Sequence, residues 1–340
     1  MPMEHSLLLA STASEAGSRL LGVVEVVAAF LAILAVIFLV VGRVSGRAQR
    51  PIALAVCLLP ALVLVAVGLV IPAIDTIVNS FKNQQYLGQQ HTSFIGFDNY
   101  RFDFTDSDTQ RTLLNTLQWL VIVPVASVAV GLTAALLLGR MRHTGIWKTL
   151  IFLPTAISFV GAAVIWNYVY DAPVQGGPQT GLLSRIALAF GWHNPPNWLI
   201  SSPLNLYLEM IIMIWIQAGF AMVVLSAALN AIPDDIIEAA RMDGASGLTL
   251  FRTVQVPMIR NTLVVVGTTI MIATLKVFDI VFSLNNGNFN TDVLARQMYG
   301  DLFVTNQVSR GSSLAVILFV VVLPLVLYNI RQLRRERATR

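Results

Sequence analysis

Seven apolar stretches dominate the chain, at roughly residues 20–41, 52–78, 113–138, 150–170, 205–229, 262–284 and 313–330. Crossing the hydrocarbon core of a bilayer takes about 20 apolar residues in a helix. In lipid, backbone polar groups have to be paired within the segment or around a closed barrel. Runs of this length meet that demand as helices, so the expected fold is an all-α integral membrane protein with about seven transmembrane helices. Composition agrees: 56% of the residues are hydrophobic and 12% charged, a balance that a soluble globule of 340 residues would not show. The net charge of +4 invites a nucleic-acid reading. The positive residues cluster beside the spans, however, where membrane topology accounts for them, so lipid is an expected partner and nucleic acid is not. A lone Cys57 excludes a disulfide within the chain.

Positive charge also orients the spans. The first stretch could pass for a signal peptide, but its leading flank has Arg19 and no Lys, and Arg43, Arg47 and Arg50 follow it. Those flanks indicate an anchor with the N-terminus outside. Arg140, Arg142 and Lys148 mark a second inside loop; Arg241, Arg252 and Arg260 mark a third; Arg331, Arg334, Arg335, Arg337 and Arg340 mark a cytoplasmic tail. The expected topology is N-out, C-in, in a bacterial plasma membrane.

The third inside loop has an unusual content: Glu238-Ala239-Ala240-Arg241-Met242-Asp243-Gly244, running on to Val254-Gln255-Val256-Pro257. Asp234 and Asp235 follow Pro233, placing carboxylates at the positive end of a helix. Asp235 and Glu238 stand at capping-box spacing. Ala239 and Ala240 favour helix and leave room for another surface to approach. Gly244 suits the left-handed position that ends a helix. Ser246 can cap a second short helix, which Pro257 is expected to stop before the next apolar run.

This string resembles the EAA loop of permease subunits in ATP-binding-cassette importers. The family spacing is Glu-Ala-Ala, three residues, Gly, nine residues, then an aliphatic residue, any residue, Leu and Pro; here Val256 stands in the Leu slot. Phe94-Ile95-Gly96-Phe97-Asp98-Asn99-Tyr100 and Asn115-Thr116-Leu117 look like segments of MalF-type carbohydrate permeases. Lys276-Val277-Phe278-Asp279-Ile280 and Asn286-Gly287-Asn288 resemble a later segment of the same family. The resemblance covers roughly residues 52–330. It implies a type I importer permease core at 51–330, preceded by a tail and an extra transmembrane helix at 1–50 and followed by a basic cytoplasmic tail at 331–340. The extra span, without a large inserted domain before 79–112, is similar to the α-glucoside (AglF-like) branch.

The resemblance also implies partners: a second homologous permease, two cytoplasmic ATPase subunits, and an extracellular binding protein that delivers a sugar. Coupling to the ATPases would run through Glu238, Ala239, Ala240, Asp243, Gly244 and Pro257. No cofactor is expected in this chain, since ATP and Mg belong to the partner ATPases. The residues agree, because no Gly-x-x-x-x-Gly-Lys-Ser/Thr stretch occurs that could cradle phosphates. His5, His91, His143 and His193 are scattered without metal-ligand spacing, and no catalytic constellation is present. The chain is expected to be a transport subunit and not an enzyme.

Polar groups at mid-span are costly in lipid and tend to face a pathway or a packed interface. Gln217, with Trp215 and Phe220 close by, falls near the middle of the span before the loop, and Thr274 falls in the span after it. In MalF-type permeases the spans flanking the loop line the sugar site, which makes these four residues the substrate-binding candidates. An aromatic face beside an amide or hydroxyl suits a sugar. Helix packing accounts for the same residues: Gln217 joining two helices, Thr274 bonding its own helix, and the rings filling space. An interfacial aromatic belt accounts for Trp166, Tyr168 and Tyr170 at least as well as sugar stacking does. A sugar phosphate such as glycerol phosphate is a competing cargo, but it would call for an Arg near mid-span. A self-sufficient secondary transporter is the competing class, and it would show inverted repeats and a paired ion site.

Overall fold

The computed structural model describes residues 58–84, 92–139, 141, 144–171 and 180–338. The leading span at 20–41, the Arg cluster at 43–50 and Cys57 lie outside the described residues. Two compact units divide at Asp75. Of the first, residues 58–75 are helical and belong to α1 (Leu58–Ser80), whose most apolar window has no buried residue.

The second unit begins with the end of α1 and a two-residue antiparallel pair, β1 (Lys82–Asn83) with β2 (Ser93–Phe94), in the register Lys82 to Phe94. A short helix α2 (Asp98–Thr105) leads into the long α3 (Ser107–Leu138). Asp106 caps α3 by accepting from the Thr109 N–H at 3.0 Å. Next come α4 (Thr144–Phe152), a 3₁₀ turn at Leu153–Ala156, and α5 (Phe159–Tyr170). After α6 (Leu182–Ala189) come α7 (Leu204–Asn230), α8 (Asp234–Met242) and α9 (Gly247–Leu275). The chain closes with α10 (Asp279–Leu284), α11 (Leu294–Tyr299) and α12 (Val308–Ala338).

Among the described residues five helices are long and apolar enough to span a membrane, or six when the bent pair α4–α5 counts as one. That pair turns through 102°, so the run expected at 150–170 is a broken span and not a straight one. Pro154 starts the break and Ser158 restarts the helix, its Oγ accepting from Gly161 N–H at 3.1 Å. Gly219 of α7 makes room for it: a Cβ there would sit 2.5 Å from Ile151 O and 3.0 Å from Phe152 Cα. The span expected at 262–284 also shifts. It starts earlier, at Gly247, and stops at Leu275, where Lys276 N–H and Val277 N–H bond back to Ala273 O and Thr274 O.

The core lies where α3, α7 and α9 pack together. Trp119, Val123, Ile212, Met213, Met222, Leu225 and Ile270 are fully buried there. Gly131 permits the approach of α3 to α7, since a Cβ would meet Ala221 Cβ at 2.5 Å and Met222 N at 2.8 Å. Lipid-sized apolar surface remains on the other faces, including Leu114, Val121, Val125 and Phe319.

Candidate functional site

The first candidate element is the loop between α7 and α9. Its helix α8 has no buried residue, and Glu238, Ala239, Asp243, Gly244 and Pro257 are all exposed, with Ala240 half-buried. Met242 is 88% exposed and Ile236 39%, so this amphipathic helix presents apolar groups that nothing among the described residues covers. Gly244 behaves as its sequence position suggests. Its φ is +84°, Gly244 N–H bonds Arg241 O at 3.0 Å, and Ala245 N–H bonds Ala240 O at 2.9 Å. That pair of bonds is a Schellman ending.

Three local expectations for this loop are corrected, the first being that Ser246, although it stands at the start of the second helix, makes no side-chain capping bond. Pro233 occupies the position before the helix and no side chain caps it, so Asp235 and Glu238 do not form a capping box; Asp234 and Asp235 act only as first-turn charges. Pro257 does not stop a second short helix. The helix from Gly247 passes through a π turn at Phe251–Gln255, and Pro257 sits in the first turn beyond it, continuing as α9. Pro has no N–H to lose there, and the widened turn removes the steric conflict that would break a regular helix. The span that follows α8 therefore begins at Gly247, just beyond the turn that ends α8.

The second element is the mid-span set. Gln217 is half-buried on α7 and makes no hydrogen bond among the described residues. Phe220, three residues on, shares its face of the helix and is also half-buried. Trp215 lies half-buried with its ring edge-on to Trp166 of α5 at 5.7 Å between centroids. Thr274 is buried, and its hydroxyl donates to Ile270 O at 2.8 Å, so it is committed to its own helix. The three aromatics of α5 separate in role. Tyr168 is 73% exposed and fits a belt, whereas Tyr170 is buried and donates to Leu208 O at 3.0 Å. Trp166 packs between Tyr170 and Trp215.

The third element, at the end of the helices remote from α8, is a polar lattice. Asn115 of α3 donates to Asn290 O at 2.8 Å and Asp292 O at 2.9 Å, and Thr116 Oγ1 accepts from Leu294 N–H at 2.9 Å. Asn205 of α7 donates to Phe289 O at 2.9 Å, and Arg111 donates to Asn290 Oδ1 at 2.5 Å. Between these clamps the chain holds positive φ at Asn286, Gly287, Phe289 and Asn290. Such backbone persists where surrounding groups fix it, and here they do. Glu209, fully buried on α7, accepts from Asn285 Nδ2 at 2.8 Å, while its Oε2 has no partner among the described residues. Burial holds Asp292 above the usual carboxylate range against the pull of Arg296, whose Nε donates to Asp292 Oδ1 at 2.7 Å.

Sequence reading missed Glu209, although a lone carboxylic acid within an apolar run is a visible signal. It found Asn115, Thr116 and Asn286 to Asn288 only as matched segments; the structure brings them together in one lattice. Asn99, in the segment at 94–100, donates to Ser80 O and Lys82 O at 2.7 and 3.0 Å, fastening α2 to the end of α1.

No family profile matches the chain. It is 43% identical over 281 residues to the osmoprotective compounds uptake permease GgtC of Synechocystis sp., covering 83% of this chain and 99% of that one. It is 42% identical over 280 residues to the alpha-glucoside transport system permease AglF of Rhizobium meliloti, covering 82% of each. A solved bacterial transporter for import of the acidic polysaccharide alginate has the same fold, with a TM-score of 0.70 at 23% identity over 85% of this chain and 97% of that one. The identities to GgtC and AglF, with an exposed coupling-type loop on a bundle of membrane-length helices, settle the family: the chain belongs to the MalF-type permeases of ATP-binding-cassette importers, as a multi-pass, non-catalytic transport subunit of the cell membrane.

Proposed function

We propose that the chain carries a neutral sugar, of the α-glucoside kind, along a pathway shared with a second homologous permease. Two ATPase subunits dock on the paired coupling loops, and a binding protein delivers cargo on the opposite side, with the N-terminus outside and the C-terminus in the cytoplasm. The observation that carries this reading is Gln217: a half-buried amide at mid-span with no hydrogen-bond partner among the described residues and Phe220 on the same face. An unpaired amide in a membrane interior is costly unless a ligand or water completes it. Gln217 and Phe220 form the polar and apolar halves of the sugar contact, with Trp215 at its rim and Thr274 in the supporting wall. The name of AglF, an alpha-glucoside transport system permease, supports a neutral sugar as cargo. Closure of the ATPases moves α8, and because α8 lies between α7 and α9 the motion reaches the helix that bears Gln217.

Uptake of labelled maltose in proteoliposomes holding the whole complex tests the cargo site. Gln217→Leu, which keeps bulk, should lower uptake several-fold, as loss of a hydrogen bond worth about 1 kcal/mol implies. Unchanged uptake of every neutral sugar tried, with unchanged ATPase activity, would make Gln217 a packing residue. For orientation, Ser14→Cys should be labelled by an impermeant reagent in intact cells and Ala338→Cys should not, in a background without Cys57.

A further inference from the structure

Beyond the lattice, at the same remote end, four aromatic rings stand in a row. Phe278 and Phe282 stack at 4.9 Å between centroids, Tyr299 meets Phe278 at 4.9 Å and Phe282 at 5.9 Å, and Phe303 continues the row 5.2 Å from Tyr299. Phe282 is 42% exposed. Phe282 and Tyr299 also form one wall of a cleft of about 350 Å³, whose other walls carry Asn286, Asp292, Arg296 and Gln297. Two of these rings share the cleft with amides, carboxylates and a guanidinium.

We propose that this cleft is an oligosaccharide subsite, distinct from the mid-span contact, in which Phe282 and Tyr299 take the apolar face of a pyranose and the polar wall takes its hydroxyls. It rests on the sugar reading above. Gln297 supplies a second observation. Its Nε2 donates to Thr109 Oγ1 at 3.0 Å, and its Oε1 is left with no partner among the described residues. Among the described residues this cleft is lined by three carboxyl groups, Asp108, Asp292 and Asp301, against the one guanidinium of Arg296, which favours a neutral sugar over a uronate or sugar phosphate. The volume is at the small end of ligand pockets, which run about 300–1,000 Å³. An adjoining cleft of about 240 Å³ shares Asp108, Asp292 and Gln297 and extends the trough toward Arg111 and Asn290. A subsite of this shape grips one end of a longer sugar.

Chain-length dependence therefore tests it, with maltose and maltotriose as probes and the complete complex with its binding protein in proteoliposomes. Phe282→Ala should raise the KM for maltotriose about five-fold and that for maltose less than two-fold, the loss expected of one stacked ring. Tyr299→Phe, which keeps the ring, should stay near the parent. ATPase activity without sugar should not move. Equal KM values for parent and variant with both sugars, or a parallel rise for both, overturn the subsite. Phe282→Trp provides a reading that does not depend on transport: maltotriose should change the emission of the added Trp relative to the parent, and no change at saturating sugar counts against the proposal. If the parent complex takes up no neutral sugar, the cargo reading itself fails; if it does and the Phe282 variants match the parent, only the subsite fails.

Discussion

The Asn115 amide on α3 reaches across to the backbone of Asn290 and Asp292, donating to both carbonyls at 2.8 and 2.9 Å. One side chain thus fastens the segment after α10 to the start of a helix more than 170 positions earlier. Asn115→Leu keeps the volume but removes both donors. Each bond contributes about 1 kcal/mol, and the two carbonyls are left in want of a partner. The expected result is faster proteolysis or greater cysteine labelling within 285–292, measured on the purified complex, with the remaining fold intact. Unaltered labelling would show that the Asn205 and Arg111 clamps suffice.

Two glycines on the packing faces should not tolerate a methyl group. Gly219→Ala would press on Ile151 O and Phe152 Cα, and Gly131→Ala on Ala221 Cβ and Met222 N. Overpacking of this kind costs about 1–3 kcal/mol. Gly267→Ala is the control, because its nearest neighbour would be Val128 Cγ2 at 4.0 Å and Ala favours helix. The thermal midpoint should fall in the first two variants and hold or rise in the third.

Stability should depend on pH through Asp103. This carboxylic acid is buried between α2 and α12, where Ser313 Oγ donates to its Oδ2 at 2.5 Å. Burial pushes its pKa up from 3.8 to about 6, against the lowering effects of Ser313 and the Arg310 guanidinium; Asp301 and Asp106 raise it slightly. A raised folded pKa favours the neutral form in the native state. The contribution is therefore full below about pH 4 and lost as pH rises through about 6. The thermal midpoint of the parent should drop between pH 5 and pH 8 by more than that of Asp103→Asn. Equal drops would remove Asp103 as the cause.

How far the sequence could be read depended on how local the cause was. Apolar length marks a span without reference to anything else, so α1, α3, α7 and α12 were all legible, as was the left-handed turn at Gly244, where one residue type answers one backbone need. The bend in α4–α5 was not, because Pro154 to Ser158 is apolar enough to pass as span; its partner in the bend, Gly219, lies on another helix. Pro257 was misread because the π turn that accommodates it has no sequence mark. Asn115, Thr116 and Asn286 were visible as family segments, while their common purpose depends on contacts across the fold. Glu209 was overlooked within its apolar run, and its pairing with Asn285 required the structure.

Coupling is the central claim, and Gly244→Asp in reconstituted transporter tests it most directly. At φ +84° a Cβ is strained although the space around it is open, so the Schellman turn should fail while the membrane core stays assembled. The measurement is sugar-stimulated ATP hydrolysis and sugar uptake, taken together on complexes of confirmed subunit content. Both are expected to fall in parallel to a small fraction of the parent. Normal uptake and normal stimulation in a fully assembled Gly244→Asp complex would contradict the assignment of this loop as the coupling site.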